Sequence, residues 1–369
     1  MQTAWLLALA LAPGRSGVAD AQADPKAPDY RKQASEVSQS IQNTFFDKSS
    51  GFYRESTEKK DPCFIWPGGV QFSALVAAAR HEPQTYRPLL DKYFGSLDRY
   101  WDRASKPPGY EPAPTSGNGN DKYYDDNAWM VLTFLEAFEL TKDRKYLDRA
   151  EATLTFVLTG WDDQIGGGIW WHQGHKDGTK NTCSTAPAAV GCLRLARYSP
   201  KAKYYQDWAA KLIDWACKTL QDTDGLFWDR KVVATGEIHK GKLTYNTALM
   251  IRAFLGQHRA TKKPEPLEEA RRIGKAGDWF LGDTGAYRDD PKWSHLLVEA
   301  DLELHRATQD ESLLERAKKN GNHLYAEWKK SPPKELISVA GIARALWLLA
   351  DAGTPQGKAF WAQAEKVGK

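Results

Sequence analysis

Two adjacent aspartates, Asp125 and Asp126, stand in the segment KYYDDNAWMVL at residues 122–132, where the chain becomes apolar and helical in character. Two neighbouring carboxyls repel each other when both are ionised, and this repulsion raises one of the two pKa values. A carboxyl with a raised pKa can act as a general acid near neutral pH while its partner stays ionised. Glycoside hydrolysis uses such a pair, so the two aspartates are candidate catalytic residues.

Helix capping is the alternative explanation of the same pair. Aspartate is favoured at the start of a helix, where its charge gains about 0.3–1 kcal/mol from the helix dipole. One aspartate is enough for that purpose, and a second one beside it adds repulsion. The residue types alone leave both explanations open.

Other polar residues offer no competing chemistry. His172 and His175 are close in the sequence, but no carboxylate or cysteine completes a metal-ligand set at the usual spacing. The sequence has no nucleophile elbow, zinc-protease motif or phosphate-binding loop. A second aspartate pair, Asp289 and Asp290, is expected to form a surface turn. We therefore expect neither a metal nor a cofactor.

Charged amphipathic segments alternate with apolar segments along most of the chain, and turns rich in Asp and Gly separate many of them. Four of the charged segments open with a residue that we expect to be an N-cap, namely Thr141, Ser199, Thr261 and Thr308. The six charged helices are expected to begin near Asp29, Pro83, Lys142, Lys201, Pro264 and Asp310.

The six apolar helices between them are apolar nearly all round, as a layer covered on both sides requires. This pattern favours an all-α fold, an (α/α)6 barrel with an apolar inner ring inside an amphipathic outer ring. An open stack of helical hairpins is the alternative. The loops before the inner helices of a barrel meet at one end. Aromatic residues in these loops are therefore expected to line one cleft, and they are Trp66, Tyr124, Trp170, Trp171, Tyr245 and Trp293. One of the two adjacent tryptophans, Trp170 and Trp171, is expected to face the cleft and the other the core.

The segment KYYDDNAWMVLTFLEAFELTKDRKYLDRA, followed by GWDDQIGGGIWW, resembles glycoside hydrolase family 76, which contains the endo-acting α-1,6-mannanases. The family pattern of an aromatic residue, two aspartates, a short gap and a tryptophan is matched around Asp125 and Asp126, and its glycine-rich segment is matched at residues 166–171. The resemblance implies an (α/α)6 barrel and hydrolysis that retains anomeric configuration. It assigns Asp125 as the nucleophile and Asp126 as the acid/base. Neighbouring residues at a helix start suit the carboxyl separation of about 5–5.5 Å in retaining enzymes.

The resemblance also implies a polysaccharide or oligosaccharide substrate of the α-mannan type. Two shorter family patterns are matched by KN at residues 180–181 and by TYN at residues 244–246. Together with the aromatic residues, these motifs give the expected substrate-binding residues, which are Trp66, Tyr124, Trp129, Gly168, Trp170, Trp171, Asn181, Tyr245 and Asn246.

Three positions depart from the family pattern, namely Met130, Thr185 and Thr247. We expect these departures to change the rim of the sugar-binding site, so the substrate is less defined than the chemistry. Two alternatives stay open: a hydrolase of a different α-linked glycan, and a non-catalytic glycan-binding protein on the same scaffold.

Residues 1–23 are typical of a signal peptide, with a short apolar run and a small-residue cleavage site at Ala21-Gln22-Ala23. A disordered tail is the alternative explanation. Residues 24–369 are then expected to form a single catalytic domain that is secreted or periplasmic.

The net charge of +4 gives no reason to expect nucleic acid or an anionic membrane as a partner. No later segment is expected to cross a membrane, and we expect a monomer. The four cysteines are expected to be unpaired and buried, namely Cys63, Cys183, Cys192 and Cys217.

Overall fold

Six apolar helices form the inner ring of the protein in a computed structural model that describes residues 28–175 and 178–366. They are α2 (Ile65–His81), α4 (Tyr124–Thr141), α6 (Thr182–Leu195), α8 (Thr244–Thr261), α10 (Pro291–Thr308) and α12 (Leu336–Gly353). Each inner helix packs against the next, and α12 packs back against α2, which closes the ring. Most of their residues are buried, because the ring is covered on both sides.

The outer ring consists of the charged helices, which alternate with the inner ones along the chain. They are α1 (Tyr30–Thr44), α3 (Pro83–Ser96), α5 (Arg144–Leu158), α7 (Ala202–Leu220), α9 (Glu265–Ala276) and α11 (Glu311–Lys330). Each outer helix buries one face against the inner ring and exposes its charged side chains on the other. A final helix, α13 (Pro355–Lys366), packs against α12. The all-α, (α/α)6 prediction is confirmed.

The expected threonine N-caps are wrong, and the reason lies in the turns between the two rings. Thr141, Thr261 and Thr308 end inner helices. The next residue at each place adopts the left-handed conformation that terminates a helix, with φ between 57° and 61°. Aspartates cap several helices instead, because their carboxylates accept hydrogen bonds from first-turn N–H groups. The capping aspartates are Asp29, Asp143, Asp290 and Asp310.

Five short strands lie in the loops that the structure describes. β1 (Trp101–Asp102) pairs antiparallel with β2 (Gly109–Tyr110). β4 (Trp228–Val232) is the central strand of a second antiparallel sheet, between β3 (Thr179–Asn181) and β5 (Ile238–Lys242). β3 leads directly into α6, and β5 precedes α8 by one residue. This sheet therefore stands at the end of the barrel where the inner helices begin.

Length and composition alone would allow α12 to cross a membrane, with a mean hydropathy of 1.5 over 18 residues. This differs from the sequence-based expectation that no later segment is so apolar. The reason is its place in the inner ring, where 89% of the stretch is buried inside the protein. The predicted signal peptide, residues 1–23, lies outside the described residues. All four cysteines are free thiols; Cys63 and Cys192 are buried, whereas Cys183 and Cys217 are partly exposed.

A buried network of ion pairs ties the inner helices together. Glu299 on α10 accepts from Arg252 on α8 at 2.8 Å and from Arg344 on α12 at 2.8 Å. Arg344 also donates to Glu136 on α4 at 2.9 Å. All four side chains are buried. Replacing Glu299 by alanine would leave two buried guanidinium groups short of a partner.

We expect Glu299→Ala to lower the free energy of unfolding by about 3–5 kcal/mol, the usual cost of breaking a buried ion pair from one side. Urea denaturation at pH 7 measures the change. Asp148→Ala is the matched control, because it removes an exposed ion pair with Arg144, one helical turn away on α5. The control variant should have nearly the same urea midpoint of unfolding as the wild type. Equal midpoints for the two variants would contradict the structural role of the network.

Candidate active site

Asp125 and Asp126 lie in the first turn of α4, at the end of the barrel where the inner helices begin. The N-cap position itself is occupied by Tyr123, which makes no side-chain capping hydrogen bond. The two aspartates are therefore not the N-cap of this helix. Both carboxyl side chains are partly exposed, whereas the residues that follow them on α4 are buried.

The Asp125 carboxylate is held by donors from three parts of the chain. Its Oδ2 accepts a hydrogen bond from the Trp171 indole at 2.9 Å and one from the Cys183 thiol at 3.6 Å. Its Oδ1 accepts from the backbone N–H of Asp126 at 3.0 Å. These contacts stabilise the ionised form of Asp125 and fix the orientation of its carboxyl plane.

The two carboxyls have different electrostatic environments. Burial raises the pKa of Asp125 from 3.8 to about 6, while the donors from Trp171, Asp126 and Cys183 oppose the rise. The pKa of Asp126 is raised well above 3.8, first by burial and then by the negative charge of Asp125. The two environments therefore separate the pKa values of the pair, with the higher pKa on Asp126, in the order that suits a nucleophile and a general acid.

The aspartates lie on the wall of a cavity of about 550 Å³, within the usual size range of ligand pockets. It is lined by Trp66, Asp125, Asp126, Trp171, Thr179, Asn181, Cys183, Asp229, Arg230, Val232, His239, Leu243, Tyr245 and Trp293. A second cavity of about 540 Å³ shares Trp66, Trp171 and both aspartates. Its other wall is formed by Glu55, Phe64, Pro67, Pro112, Tyr123, Lys292, Glu335 and Ile337. The carboxyl pair is therefore at the junction of two cavities that together form one cleft.

The sequence model of Glycosyl hydrolase family 76 matches residues 29–291. The chain belongs to this family. The match includes the aspartate pair and all nine helices from α1 to α9, of which four are inner and five are outer.

Solved structures with the same fold include family 76 enzymes. The GH76 α-mannanase BT2949 of Bacteroides thetaiotaomicron aligns with a TM-score of 0.83 and 23% identity, covering 88% of this chain and 96% of that one. The α-1,6-mannanase GH76A of Salegentibacter sp. HEL1_6 aligns with a TM-score of 0.75 and 22% identity, covering 87% of this chain and 99% of that one. That structure is an inactive variant, with two adjacent aspartates changed to asparagine, in complex with α-1,6-mannotriose.

A curated relative is the meiotically up-regulated gene 191 protein of Schizosaccharomyces pombe, which is 28% identical over 266 residues. The aligned region covers 65% of this chain and 58% of the relative, so the chain spans little more than half of that protein's length.

Four of the residues predicted to bind substrate line the cleft of this family 76 protein. They are Trp66, Trp171, Asn181 and Tyr245. Trp66 and Tyr245 meet edge to face, with ring centroids 6.4 Å apart. Trp293, which was expected at the same end of the barrel, also lines the cavity.

Two predicted residues on α4 lie beneath or behind the cleft wall instead. Tyr124 precedes Asp125 and points to the outer ring, where its ring stacks on Phe156 at 5.0 Å. Trp129 follows Asp125 by four residues, so it lies one turn deeper on the same face. It is buried and stacks on the underside of Tyr245 at 6.2 Å. The expectation that Tyr124 and Trp129 contact the substrate is corrected accordingly.

Trp170 and Gly168 are also corrected, because neither lines the cleft. Successive residues of an extended segment point to opposite sides, so Trp171 faces the carboxyls while Trp170 faces away. Trp170 donates to Asp162 at 2.7 Å and stacks on His175. Gly168 adopts φ +83°, and a Cβ there would lie 2.4 Å from the Trp215 ring. Its role in the described structure is close packing.

Asn246 is completely buried and does not line either cavity. The three departures from the family pattern are buried as well, namely Met130, Thr185 and Thr247. Thr185 accepts a hydrogen bond from the backbone N–H of Ile169 at 3.2 Å. The expectation that these departures alter the rim of the sugar-binding site is therefore wrong, because their side chains pack in the interior.

Lys180 explains why the family motifs at residues 166–171 and 180–181 occur together. Its buried ammonium donates to the backbone carbonyls of Asp162 at 2.9 Å, Gln164 at 2.9 Å and Gly167 at 2.7 Å. These bonds hold the glycine-rich loop that places Trp171 against Asp125. Lys180 is therefore a structural residue, whereas its neighbour Asn181 faces the cavity.

Sequence reasoning missed the wall formed by β4 and β5. Asn181, Arg230 and His239 are paired across the three strands, and all three line the cavity. Asp229 also lines it and forms an ion pair with Arg230. The available signal was a pair of five-residue segments joined by a short turn that contains Gly236 with φ +72°. Both segments are rich in charged residues and lack the apolar alternation by which strands are usually detected.

Within residues 28–175 and 178–366, no group of three or more His, Cys, Asp or Glu side chains is arranged to hold a metal ion. The described cleft residues offer the adjacent carboxyls of Asp125 and Asp126, further carboxyls in the walls, a thiol and several other hydrogen-bonding groups.

Proposed function

We propose that this family 76 protein is a retaining glycoside hydrolase that cleaves α-1,6-mannosidic linkages inside a polysaccharide. The observation that carries the proposal is the pair of adjacent carboxyls at the junction of two cavities, and the higher pKa of Asp126 agrees with its role as the proton donor. A protein that only binds glycans has no need for two carboxyls with separated pKa values.

In the first step, Asp125 attacks the anomeric carbon while the glycosidic carbon–oxygen bond breaks. Asp126 gives its proton to the departing oxygen, and a covalent glycosyl ester forms on Asp125. In the second step, water attacks the same carbon and transfers a proton to Asp126, and the Asp125 carboxylate leaves. The two displacements together retain the anomeric configuration.

The two cavities support cleavage within a chain. Each has a volume suited to a ligand, and the carboxyls lie where the two meet. Sugar residues can therefore occupy the cleft on both sides of the bond that breaks. An enzyme that removes terminal sugars needs room for the polymer on one side only.

The walls of the cleft suit a carbohydrate. Trp66, Trp171 and Trp293 offer aromatic surfaces on which sugar rings can stack. Thr179 Oγ1 and Asn181 Oδ1 are buried in the wall and have no hydrogen-bond partner among the residues that the structure describes, so they are suited to accept bonds from sugar hydroxyls. The complex of the Salegentibacter enzyme with α-1,6-mannotriose supports this linkage as the first choice of substrate.

A monomer stays the prediction for the working unit. A polysaccharide substrate supports a secreted or periplasmic location, and a single catalytic domain over residues 24–369 stays a prediction.

Product analysis on linear α-1,6-mannan tests the proposal. We expect a ladder of oligosaccharides early in the reaction, and ¹H NMR should detect α-anomers first, before mutarotation. A panel of other α-linked glycans serves as the comparison, because the charged wall at Asp229, Arg230 and His239 was not foreseen from the motifs. Early release of a β-anomer contradicts the retaining mechanism. Preferential cleavage of another glycan contradicts the assignment of mannan as the substrate. Binding without cleavage of any glycan contradicts catalysis.

A further inference from the structure

Cys183 occupies the first turn of α6, directly after the strand that carries Asn181. Its Sγ is 3.6 Å from Oδ2 of Asp125, the same oxygen that accepts from the Trp171 indole at 2.9 Å. Its side chain lines the larger of the two cavities that meet at the carboxyl pair. The other three cysteines lie elsewhere: Cys63 and Cys192 are buried in the core, and Cys217 is on the outer helix α7.

The thiol is suited to donate a hydrogen bond and poorly suited to act as a nucleophile. Burial raises the pKa of Cys183 well above 9.0, and the negative charges of Asp125 and Asp229 raise it further. The sulfur therefore keeps its proton at the pH of the reaction. A protonated thiol is a weak donor, and the acceptor here is a carboxylate oxygen.

We propose that Cys183 is a positioning residue for the nucleophile: its thiol proton, together with the Trp171 indole, holds the Asp125 carboxylate ionised and in a fixed orientation. The proposal rests on the role of Asp125 given under the proposed function. It assigns a purpose to a cysteine that neither a disulfide nor a metal explains among the described residues.

The electrostatic coupling between the two groups works in both directions. The thiol donor favours the ionised carboxylate, and the carboxylate charge disfavours the thiolate. Because such coupling is reciprocal, removing either group must change the titration of the other. Other titratable or charged residues line the same cavity as the Cys183 thiol and the Asp125 carboxyl, and none of them is substituted in the tests of this proposal. They are Asp126 on α4, Asp229 and Arg230 on β4, His239 on β5 and Tyr245 on α8.

The first experiment compares Cys183→Ala, which removes the donor, with Cys183→Ser, which keeps one. In the alanine variant the acid limb of the kcat/KM profile should move up by about half a pH unit, because the ionised form of Asp125 loses a weak donor. Its kcat should fall about fivefold, with KM nearly unchanged. The serine variant should keep most of the wild-type kcat and an acid limb close to that of the wild type. An unchanged acid limb in the alanine variant, or an equal loss in both variants, overturns the proposal.

The second experiment needs no hydrolysis. In a Cys217→Ser background, iodoacetamide alkylates Cys183 as its thiolate displaces iodide and the proton passes to solvent; mass spectrometry of the Cys183 peptide gives the rate. Cys63 and Cys192 are fully buried and serve as internal controls. Adding Asp125→Asn removes the neighbouring charge, so the pKa in the pH–rate profile should fall, by about one unit. Identical profiles overturn the proposal. If the profiles differ but no glycan is cleaved, the proposed function fails while the coupling between thiol and carboxyl stands.

Discussion

Replacing Asp125 by asparagine is expected to lower glycoside hydrolysis by about 10⁴-fold or more, on natural and activated substrates alike. The amide has nearly the shape of the carboxyl but cannot form the glycosyl ester, so the first displacement is lost whatever the leaving group. Oligosaccharide release from α-1,6-mannan and aryl glycoside hydrolysis both measure the effect. Thermal unfolding should show that the fold is kept, because the side chain contributes no buried packing that asparagine cannot replace.

Asp163→Asn is the matched control for this variant. Asp163 is an exposed aspartate in the turn after α5, where it accepts a bond from Trp161 at 3.3 Å, and it lines neither cavity of the cleft. Its substitution should leave turnover unchanged. Substantial activity of Asp125→Asn on an activated glycoside would exclude Asp125 as the nucleophile. It would favour the alternative that the aspartate pair only stabilises the first turn of α4.

The ring architecture was predictable because it depends on a repeated local pattern. Charged and apolar helices differ in composition along their whole length, and the inner helices are buried on nearly every face. The aspartate pair was recognisable for a related reason, since adjacent carboxyls at the start of an apolar helix are unfavourable unless a function retains them.

The directions of individual side chains were not predictable in the same way. Tyr124 and Asp125 are neighbours, yet the first packs on the outer ring and the second faces the cleft, because successive helical residues differ by about 100° in direction. Trp170 and Trp171 diverge because their segment is extended. The general expectation that one of the two faces inward is consistent with the structure, but sequence alone did not say which.

Two further features depend on tertiary contacts that leave little local signal. The β4–β5 wall carries charge on both strands, since one side faces water and the other the cavity, so it shows no apolar alternation. The departures at Met130, Thr185 and Thr247 were expected at the rim of the sugar-binding site, because residues of a family motif were assumed to contact the substrate. Burial places them in the core, where they adjust packing between helices.

Replacing Asp126 by asparagine should separate the two chemical steps. The variant lacks the proton donor, so cleavage of mannan should fall by about 10²–10⁴-fold. An aryl glycoside with a good leaving group needs little proton assistance, so it should still glycosylate Asp125 and give a burst of released phenol. The wild-type profile should lose activity at high pH as Asp126 ionises, and this alkaline limb should be absent from the burst rate of the variant.

Azide then distinguishes Asp126 from every other residue of the cleft. The glycosyl ester on Asp125 persists in the variant because no base activates water for the second displacement. Azide is an anion that attacks the anomeric carbon without base assistance, so it should restore turnover and yield a glycosyl azide of α configuration. The same addition should give no α-configured azide with Asp125→Asn, because no ester forms in that variant. An α-configured azide formed by Asp125→Asn would exchange the two assignments, whereas a β-configured azide would be the product of one direct displacement and would agree with the loss of the nucleophile. Failure to rescue Asp126→Asn would exclude the assigned covalent intermediate.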